Sequence, residues 1–135
     1  MIIVDASVLT NAFTDDGILG DRARAELGRD HHWAAPEQLV AETFSAIRGR
    51  LIGGMIGPAR AHDAVRALMQ IPVDLLAVQP LLARMWAARD HATGYDAAYV
   101  AAAEVNDCAL VTADTRLAQA ARRLTCRVRL AWPPT

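Results

Sequence analysis

The sequence predicts an α/β fold in which a central, mostly parallel sheet of four to five strands is covered by helices. Short apolar segments rich in β-branched residues alternate with longer helical segments along the chain. This alternation is typical of parallel sheets that are covered on both faces. The chain has 135 residues, 53% of them hydrophobic, and contains no linker or repeat. We therefore predict a single domain that spans residues 1–135.

The predicted strands are the short segments that are most apolar. They are 2–4, 33–35, 75–78, 108–112 and, as an edge strand, 127–130. The predicted helices are 6–13, 18–27, 37–51, 57–70, 80–91, 95–105 and 115–124. Pro36 is expected in the first turn of the third helix. Gly53 and Gly54 are expected to end that helix.

Charge and composition exclude several classes of function. The chain carries 14 basic and 15 acidic residues, which argues against a general electrostatic attraction to nucleic acid but allows a local basic rim. Every basic residue is arginine, so lysine-dependent P-loop and Schiff-base chemistry are excluded. The cysteines and histidines lack the spacing of a zinc site. No apolar run reaches the roughly 20 residues of a membrane span, and no signal peptide is evident, so we expect a soluble cytoplasmic protein.

Four acidic residues stand in unusual surroundings: Asp5, Glu42, Asp96 and Asp114. Asp5 and Asp114 each follow a predicted strand, and both should point into the crevice at the carboxyl ends of the sheet. Taken singly, each of these two could instead cap the helix that follows it. Asp96 lies in the first turn of a predicted helix, where the helix dipole favours a carboxylate.

Glu42 is ambiguous on physical grounds. The main apolar stripe of its helix is Val40, Phe44, Ile47 and Leu51. Helical geometry places Glu42 roughly opposite this stripe, toward solvent. However, Leu39 and Ala46 flank Glu42, and a helix that is apolar nearly all round is usually covered on more than one side. Both positions of Glu42 therefore remain open at this point.

A cluster of carboxylates repels itself, and a hard divalent cation is the simplest compensation. Mg²⁺ and Mn²⁺ both prefer oxygen ligands. Such ions activate water and stabilise charge on a phosphodiester, and many nucleases use two of them about 3.5–4 Å apart. The four acids together therefore predict a site for one or two Mg²⁺ or Mn²⁺ ions and phosphate chemistry.

Four motifs, in this order, resemble the PIN-domain nucleases, and most closely their VapC toxin branch from bacterial toxin–antitoxin pairs. The motifs are Asp5-Ala6-Ser7, Leu39-Val40-Ala41-Glu42, Gly94-Tyr95-Asp96-Ala97-Ala98-Tyr99 and Thr112-Ala113-Asp114. The resemblance covers essentially the whole chain. It implies a PIN-like α/β/α sandwich and a Mg²⁺- or Mn²⁺-dependent endoribonuclease that is the toxin of a type II toxin–antitoxin system. It also implies an RNA substrate, a VapB-type antitoxin and a homodimer.

The resemblance also implies residue roles. The acidic site is Asp5, Glu42, Asp96 and Asp114, with Asp5, Asp96 and Asp114 as metal ligands. Ser7 and Thr112 are the implied supporting hydroxyls. The candidate RNA-binding residues are Arg48, Arg50, Arg89 and Arg116, although each, taken alone, has the ordinary interpretation of a solvated surface charge.

Three other functions compete with a toxin ribonuclease. A PIN nuclease could act in RNA maturation without an antitoxin. A Mg²⁺-binding phospho-receiver also places acids at strand ends, but it needs a lysine near its fifth strand and this chain has none. A catalytically silent PIN scaffold is the third alternative, and the presence of all four acids argues against it.

Overall fold

The central sheet of the computed structural model is wholly parallel among the residues that the structure describes, which are 1–124 and 127–131. In chain order its strands are β1 (Ile2–Val4), β2 (Trp33–Pro36), β3 (Val73–Leu76), β4 (Ala109–Thr112) and β5 (Val128–Leu130). In space they lie in the order β3-β2-β1-β4-β5. The predicted parallel sheet is confirmed, with five strands.

Helices connect consecutive strands. They are α1 (Ala6–Thr14), α2 (Ile18–Gly28), α3 (Leu39–Ile52), α4 (Pro58–Met69), α5 (Leu82–Ala87), α6 (Gly94–Val105) and α7 (Thr115–Arg123). A 3₁₀ turn, Gln79–Leu81, precedes α5. Within the described ranges, no helix is long and apolar enough to cross a membrane.

Several predicted boundaries were wrong. The fifth helix, predicted over 80–91, is only Leu82–Ala87 and follows a 3₁₀ turn, and further errors lie near the sheet edge that β3 forms. Pro36 belongs to β2 and pairs with Leu76, and the next backbone N–H, of Glu37, donates to the carbonyl of Leu76. The chain therefore stays extended through Pro36, and α3 begins only at Leu39. The third strand starts at Val73 rather than at residue 75, because an edge strand tolerates the exposed Asp74 that interrupts the apolar run.

The order of the strands divides the helices between two faces. From β1 the chain adds β2 and then β3 on one side, and it later adds β4 and β5 on the other. Because crossovers between parallel strands are right-handed, these two directions place α1–α4 on one face and α5–α7 on the opposite face. The result is the predicted α/β/α sandwich. Strands β1 and β4 lie in its centre with Ile3, Val4, Leu110 and Val111 wholly buried.

The direction of the crossovers reverses between β1 and β4, which are hydrogen-bonded neighbours. In open α/β sheets this reversal creates a crevice at the carboxyl ends of the two strands. Asp5 follows β1 directly, and Asp114 follows β4 by two residues. Helix α6 packs against β1, β2 and β4, and its run of buried alanines allows a close approach.

Helix α3 is rotated relative to the predicted apolar stripe. Its buried residues are Leu39, Thr43 and Ile47, whereas Val40 and Phe44 are exposed. Ile47 packs against a small cluster on α4 that includes Ala61, Ala64 and Leu68. This rotation turns the face that carries Glu42 toward the crevice instead of toward solvent.

Candidate active site

Asp5 is an almost fully buried carboxylate, with 6% of its surface exposed. It occupies the N-cap position of α1 but makes no side-chain capping hydrogen bond. Instead, its Oδ2 accepts hydrogen bonds from Ser7 Oγ at 2.5 Å and from Thr112 Oγ1 at 2.8 Å. Burial raises the pKa of Asp5, the two hydroxyl hydrogen bonds lower it in part, and the charge of Asp114 raises it further.

The same two hydroxyls tie the end of β4 to the start of α1. Ser7 Oγ accepts from the backbone N–H of Ala113 at 3.0 Å, and Thr112 Oγ1 accepts from that of Asp114 at 3.0 Å. Each hydroxyl thus donates to the Asp5 carboxylate while accepting from the backbone after β4. This pairing fixes the orientation of the carboxylate before any ligand binds.

Asp114 caps α7 and also faces the crevice. Its Oδ1 accepts from the backbone N–H groups of Arg116 at 2.9 Å and Leu117 at 3.3 Å, which is ordinary N-cap geometry. Its Oδ2 lies 3.8 Å from Arg116 Nη2. Oδ1 of Asp114 therefore caps α7, and Oδ2 is the oxygen that faces Arg116 in the crevice.

Asp96 lies in the first turn of α6, as predicted. The Thr93 hydroxyl accepts from the backbone N–H of Asp96 at 3.3 Å and so caps the helix. Asp96 Oδ2 is 3.7 Å from Arg116 Nη2, and 14% of the Asp96 side chain is exposed. Burial raises the pKa of Asp96, the Arg116 guanidinium lowers it, and the charge of Asp114 raises it.

Glu42 is half-buried, and two neighbours hold its carboxylate. Gln38 Nε2 donates to Oε1 at 2.7 Å, and the Tyr99 hydroxyl donates to Oε2 at 3.4 Å. The same Gln38 amide also donates to the Tyr95 carbonyl at 3.0 Å, which links α3 to the start of α6. Burial raises the pKa of Glu42 most, and the charges of Asp5 and Asp96 add to the shift.

All four acids line one open cleft of about 590 Å³, together with Ser7, Thr10, Tyr95, Arg50 and Arg116. Four separate segments of the chain thus bring their carboxylates to the crevice between β1 and β4. Thr112 lies beneath this cleft, wholly buried, and reaches it through Asp5.

Known proteins share this sequence pattern. A sequence model of the PIN domain matches residues 2–123. Ribonuclease VapC9 of Mycobacterium tuberculosis (strain ATCC 25618 / H37Rv) is 37% identical over 117 residues, which are 87% of this chain and 88% of that protein. The chain belongs to the PIN-domain family, in its VapC branch.

Solved structures agree with the fold of this PIN domain. FitAcB from Neisseria gonorrhoeae superimposes with a TM-score of 0.73 at 18% identity, over 99% of this chain and 100% of that one. VapC20 of Mycobacterium tuberculosis, described as a sarcin-ricin loop cleaving toxin, gives a TM-score of 0.61 at 15% identity, over 82% of this chain and 87% of that one. At such low identity these two structures support the fold alone.

The predicted RNA-binding arginines of this PIN domain occupy different places. Arg116 lies beside Asp96 and Asp114 in the cleft. Arg50 also lines the cleft, where Asn11 and Thr14 hold its guanidinium. Arg89 stacks over the Trp86 ring at 4.5 Å and lines an adjacent depression. Arg48 is exposed on α3 and does not line the cleft.

Sequence reasoning did not identify three residues that position the acids. Thr93 caps α6 and stands three residues before Asp96, a pattern typical of helix starts that could have indicated it. Gln38 stands four residues before Glu42, the spacing at which helical side chains meet. Tyr99 belongs to a motif that carries the family resemblance, but no local pattern indicated its contact with Glu42, because that contact joins two different helices.

The carboxylates of this PIN domain do not form a closed cage. Among the residues that the structure describes, no three acidic, histidine or cysteine side chains are arranged to hold an ion by themselves. The predicted set of Asp5, Asp96 and Asp114 therefore shares one cleft without converging on a single point. Four carboxylates nevertheless face two guanidinium groups, of Arg50 and Arg116, so the cleft carries excess negative charge.

Proposed function

We propose that this PIN domain is a Mg²⁺- or Mn²⁺-dependent endoribonuclease and the toxin of a type II toxin–antitoxin pair. The observation that carries the proposal is that Asp5, Glu42, Asp96 and Asp114 all line one open cleft at the reversal point of the sheet. The cleft is open enough for a polymer. The name of the relative VapC9, a ribonuclease, supports RNA as that polymer.

The donor set fits a hard cation. Asp5, Asp96 and Asp114 would hold it, since their oxygens are of the type that Mg²⁺ and Mn²⁺ prefer. Mg²⁺ usually keeps several waters and binds through one or two carboxylates together with substrate phosphates. An open arrangement of acids therefore suits this ion better than a closed cage would. When bound, such a metal activates water and stabilises negative charge on the phosphoryl oxygens.

The side chains of the site would each contribute a separate function. The hydroxyls of Ser7 and Thr112 hold Asp5 Oδ2 in a fixed orientation. Arg116 is well placed to bind a phosphate oxygen in place of its contacts with Asp96 and Asp114. Glu42 Oε1 is engaged by Gln38, so Oε2, with its longer contact to Tyr99, is the atom that would accept a proton.

Two exposed apolar grooves support protein partners. One lies between α3 and α4, has a volume of about 450 Å³ and includes Phe44 and Met69. The other lies between α5 and α6, has a volume of about 420 Å³ and includes Leu82 and Trp86. Exposed apolar surfaces of this kind are typical of interaction sites. We propose a VapB-type antitoxin and a second copy of this chain as the partners.

Two conservative substitutions test the proposed activity. Asp5→Asn and Asp96→Asn should abolish metal-dependent cleavage of RNA and growth inhibition while the protein stays folded. Asp63→Asn, which changes an exposed acid on α4, is the matched control and should cleave as the parent does. Mg²⁺ should raise the melting temperature of the parent and of Asp63→Asn more than that of either site variant. Retained cleavage by both purified site variants would contradict the assignment.

Two of the three alternative functions, the phospho-receiver and the nuclease of RNA maturation, differ in how well they fit this family. Membership of the PIN-domain family overturns the phospho-receiver hypothesis. A PIN nuclease of RNA maturation has the same site, so it differs by its genetic setting rather than by its geometry. A small reading frame beside the gene, encoding a DNA-binding N-terminus, would favour the toxin.

A further inference from the structure

A second depression adjoins the carboxylate cleft. It has a volume of about 360 Å³ and lies between the segment that follows α5 and the outer face of α7. Thr93, Asp96 and Arg116 line both the depression and the cleft, so the two are continuous across these residues. An RNA strand that leaves the cleft on this side must cross the depression.

The depression gathers cationic side chains from three parts of the fold. Arg89 comes from the end of the α5 segment, Arg116 from the start of α7 and Arg123 from its end, while His91 lies beside them. Asp90 and Asp96 also line it. The balance of full charges in the depression is therefore positive, whereas the adjoining cleft is negative.

The three arginines differ in how they are held. The Arg89 guanidinium stacks on the Trp86 ring, and its Nη1 donates to the Trp86 carbonyl at 2.9 Å, so its position is largely fixed. Arg116 faces the carboxylates of the cleft. Arg123 is exposed and forms no ion pair with another described residue. Of the three, Arg123 is therefore the most available to a ligand from solution.

We infer that this depression binds a backbone phosphate of single-stranded RNA next to the nucleotide in the cleft, with Arg123 and Arg89 as its ligands. The inference rests on the proposed function, because it assumes that RNA occupies the cleft. The carboxylates of the cleft repel the phosphates of an RNA backbone, except where a bound cation compensates the negative charge. The continuous cationic surface offers the adjoining phosphate a favourable place, and guanidinium groups match phosphate oxygens in geometry.

Two neighbouring arginines at the end of α7 provide a matched test. Arg123 lines the depression, whereas Arg122 is exposed but does not. Both stand in the last turn of the helix and interact alike with its dipole. We would place Arg123→Gln and Arg122→Gln separately in the Asp5→Asn background. Binding of a fluorescent single-stranded RNA oligonucleotide of mixed sequence would then be measured over a salt series.

Each phosphate contact contributes about −0.7 to the slope of log K against log salt for single strands. Arg123→Gln should make that slope less negative by at most about 0.7, because Arg89 still contacts the same phosphate, and Arg122→Gln should leave it unchanged. Arg89→Gln should repeat the effect of Arg123→Gln. In the active protein, Arg123→Gln should raise KM for RNA without lowering kcat, because a contact made equally in ground and transition states affects binding alone.

Equal slopes for Arg123→Gln and Arg122→Gln would overturn the inference. In that case cleavage of RNA by the parent protein would leave the proposed function intact. Failure of the parent to bind or cleave any RNA would instead overturn the proposed function, and this inference with it.

Discussion

Replacing Thr112 with valine would show how strongly the hydroxyl network beneath the cleft stabilises the fold. Thr112 is wholly buried; its Oγ1 donates to Asp5 Oδ2 at 2.8 Å and accepts from the Asp114 N–H at 3.0 Å. Valine has a similar shape but makes neither hydrogen bond. A hydrogen bond to a charged group contributes about 1.5–3 kcal/mol, and an unpaired N–H costs about 1 kcal/mol more. We expect Thr112→Val to lower the free energy of unfolding by about 2.5–4 kcal/mol.

Thr43→Val is the matched control because it makes the same chemical change at another wholly buried threonine. Thr43 Oγ1 has no hydrogen-bond partner among the described residues. A buried hydroxyl without a partner has lost its hydration and gained nothing in return. We therefore expect Thr43→Val to raise the free energy of unfolding by about 1 kcal/mol. The two substitutions should change the free energy of unfolding in opposite directions.

The loss of stability caused by Thr112→Val should depend on pH. Burial raises the pKa of Asp5 in the folded protein. A carboxyl with a raised pKa contributes stability that is present below its unfolded pKa of about 3.9 and lost as the pH rises through its folded pKa. The Thr112 hydroxyl opposes this loss, because its hydrogen bond favours the ionised carboxylate. The destabilisation by Thr112→Val should therefore be largest at neutral pH and shrink as the pH falls through the folded pKa.

Urea unfolding in a metal-free buffer, followed by circular dichroism at several pH values, would measure these differences. The midpoints should move in opposite directions for the two variants with little change in the slope m. In thermal scans each kcal/mol should move the melting temperature by roughly 4 °C for a chain of this size. Unfolding of Thr112→Val within about 0.5 kcal/mol of the parent at neutral pH, the usual range of surface substitutions, would refute the reasoning.

Two further predictions concern packing. Gly20→Ala would place a Cβ atom 1.8 Å from the Asp15 carbonyl oxygen, so it should destabilise the protein by about 1–3 kcal/mol or more. Gly28→Ala lies in the same helix but faces open space, so it should be neutral or stabilising by up to about 1 kcal/mol. Equal effects of Gly20→Ala and Gly28→Ala in urea unfolding would contradict the predicted clash at Gly20. Leu110→Ala, at a wholly buried position in β4, should cost about 2–5 kcal/mol in the same assay, and a smaller loss would mean that the sheet collapses around the cavity.

The sequence predicted the kind of sheet but not its strand order. Apolar runs such as 2–4 and 108–112 locate strands because buried parallel strands need such residues on both faces. The proximity of Asp5 and Asp114 was also predictable, since both follow strand ends. The reversal between β1 and β4, however, depends on which neighbour each crossover reaches. No local pattern in the sequence specifies that choice.

The orientation of α3 was beyond local prediction as well. Its apolar residues leave more than one face suitable for burial, and contacts with α1 and α4 decide between them. The same uncertainty affects Arg48 and Arg50. Two residues apart on a helix, they point in nearly opposite directions, so Arg50 reaches Asn11 and Thr14 while Arg48 faces solvent. Which of the two joins the cleft follows from tertiary packing alone.

The hydrogen bond from Thr112 to Asp5 spans 107 positions in the chain. Strand β1 emerges first during synthesis, yet its place in the sheet lies between β2 and the late strand β4. A nascent chain that has made β1 but not β4 therefore carries Asp5 without the neighbours that orient it. The cleft can assemble only after β4 and the start of α7 have been made. Incomplete products of translation, and chains cut before β4, should consequently be inert toward RNA.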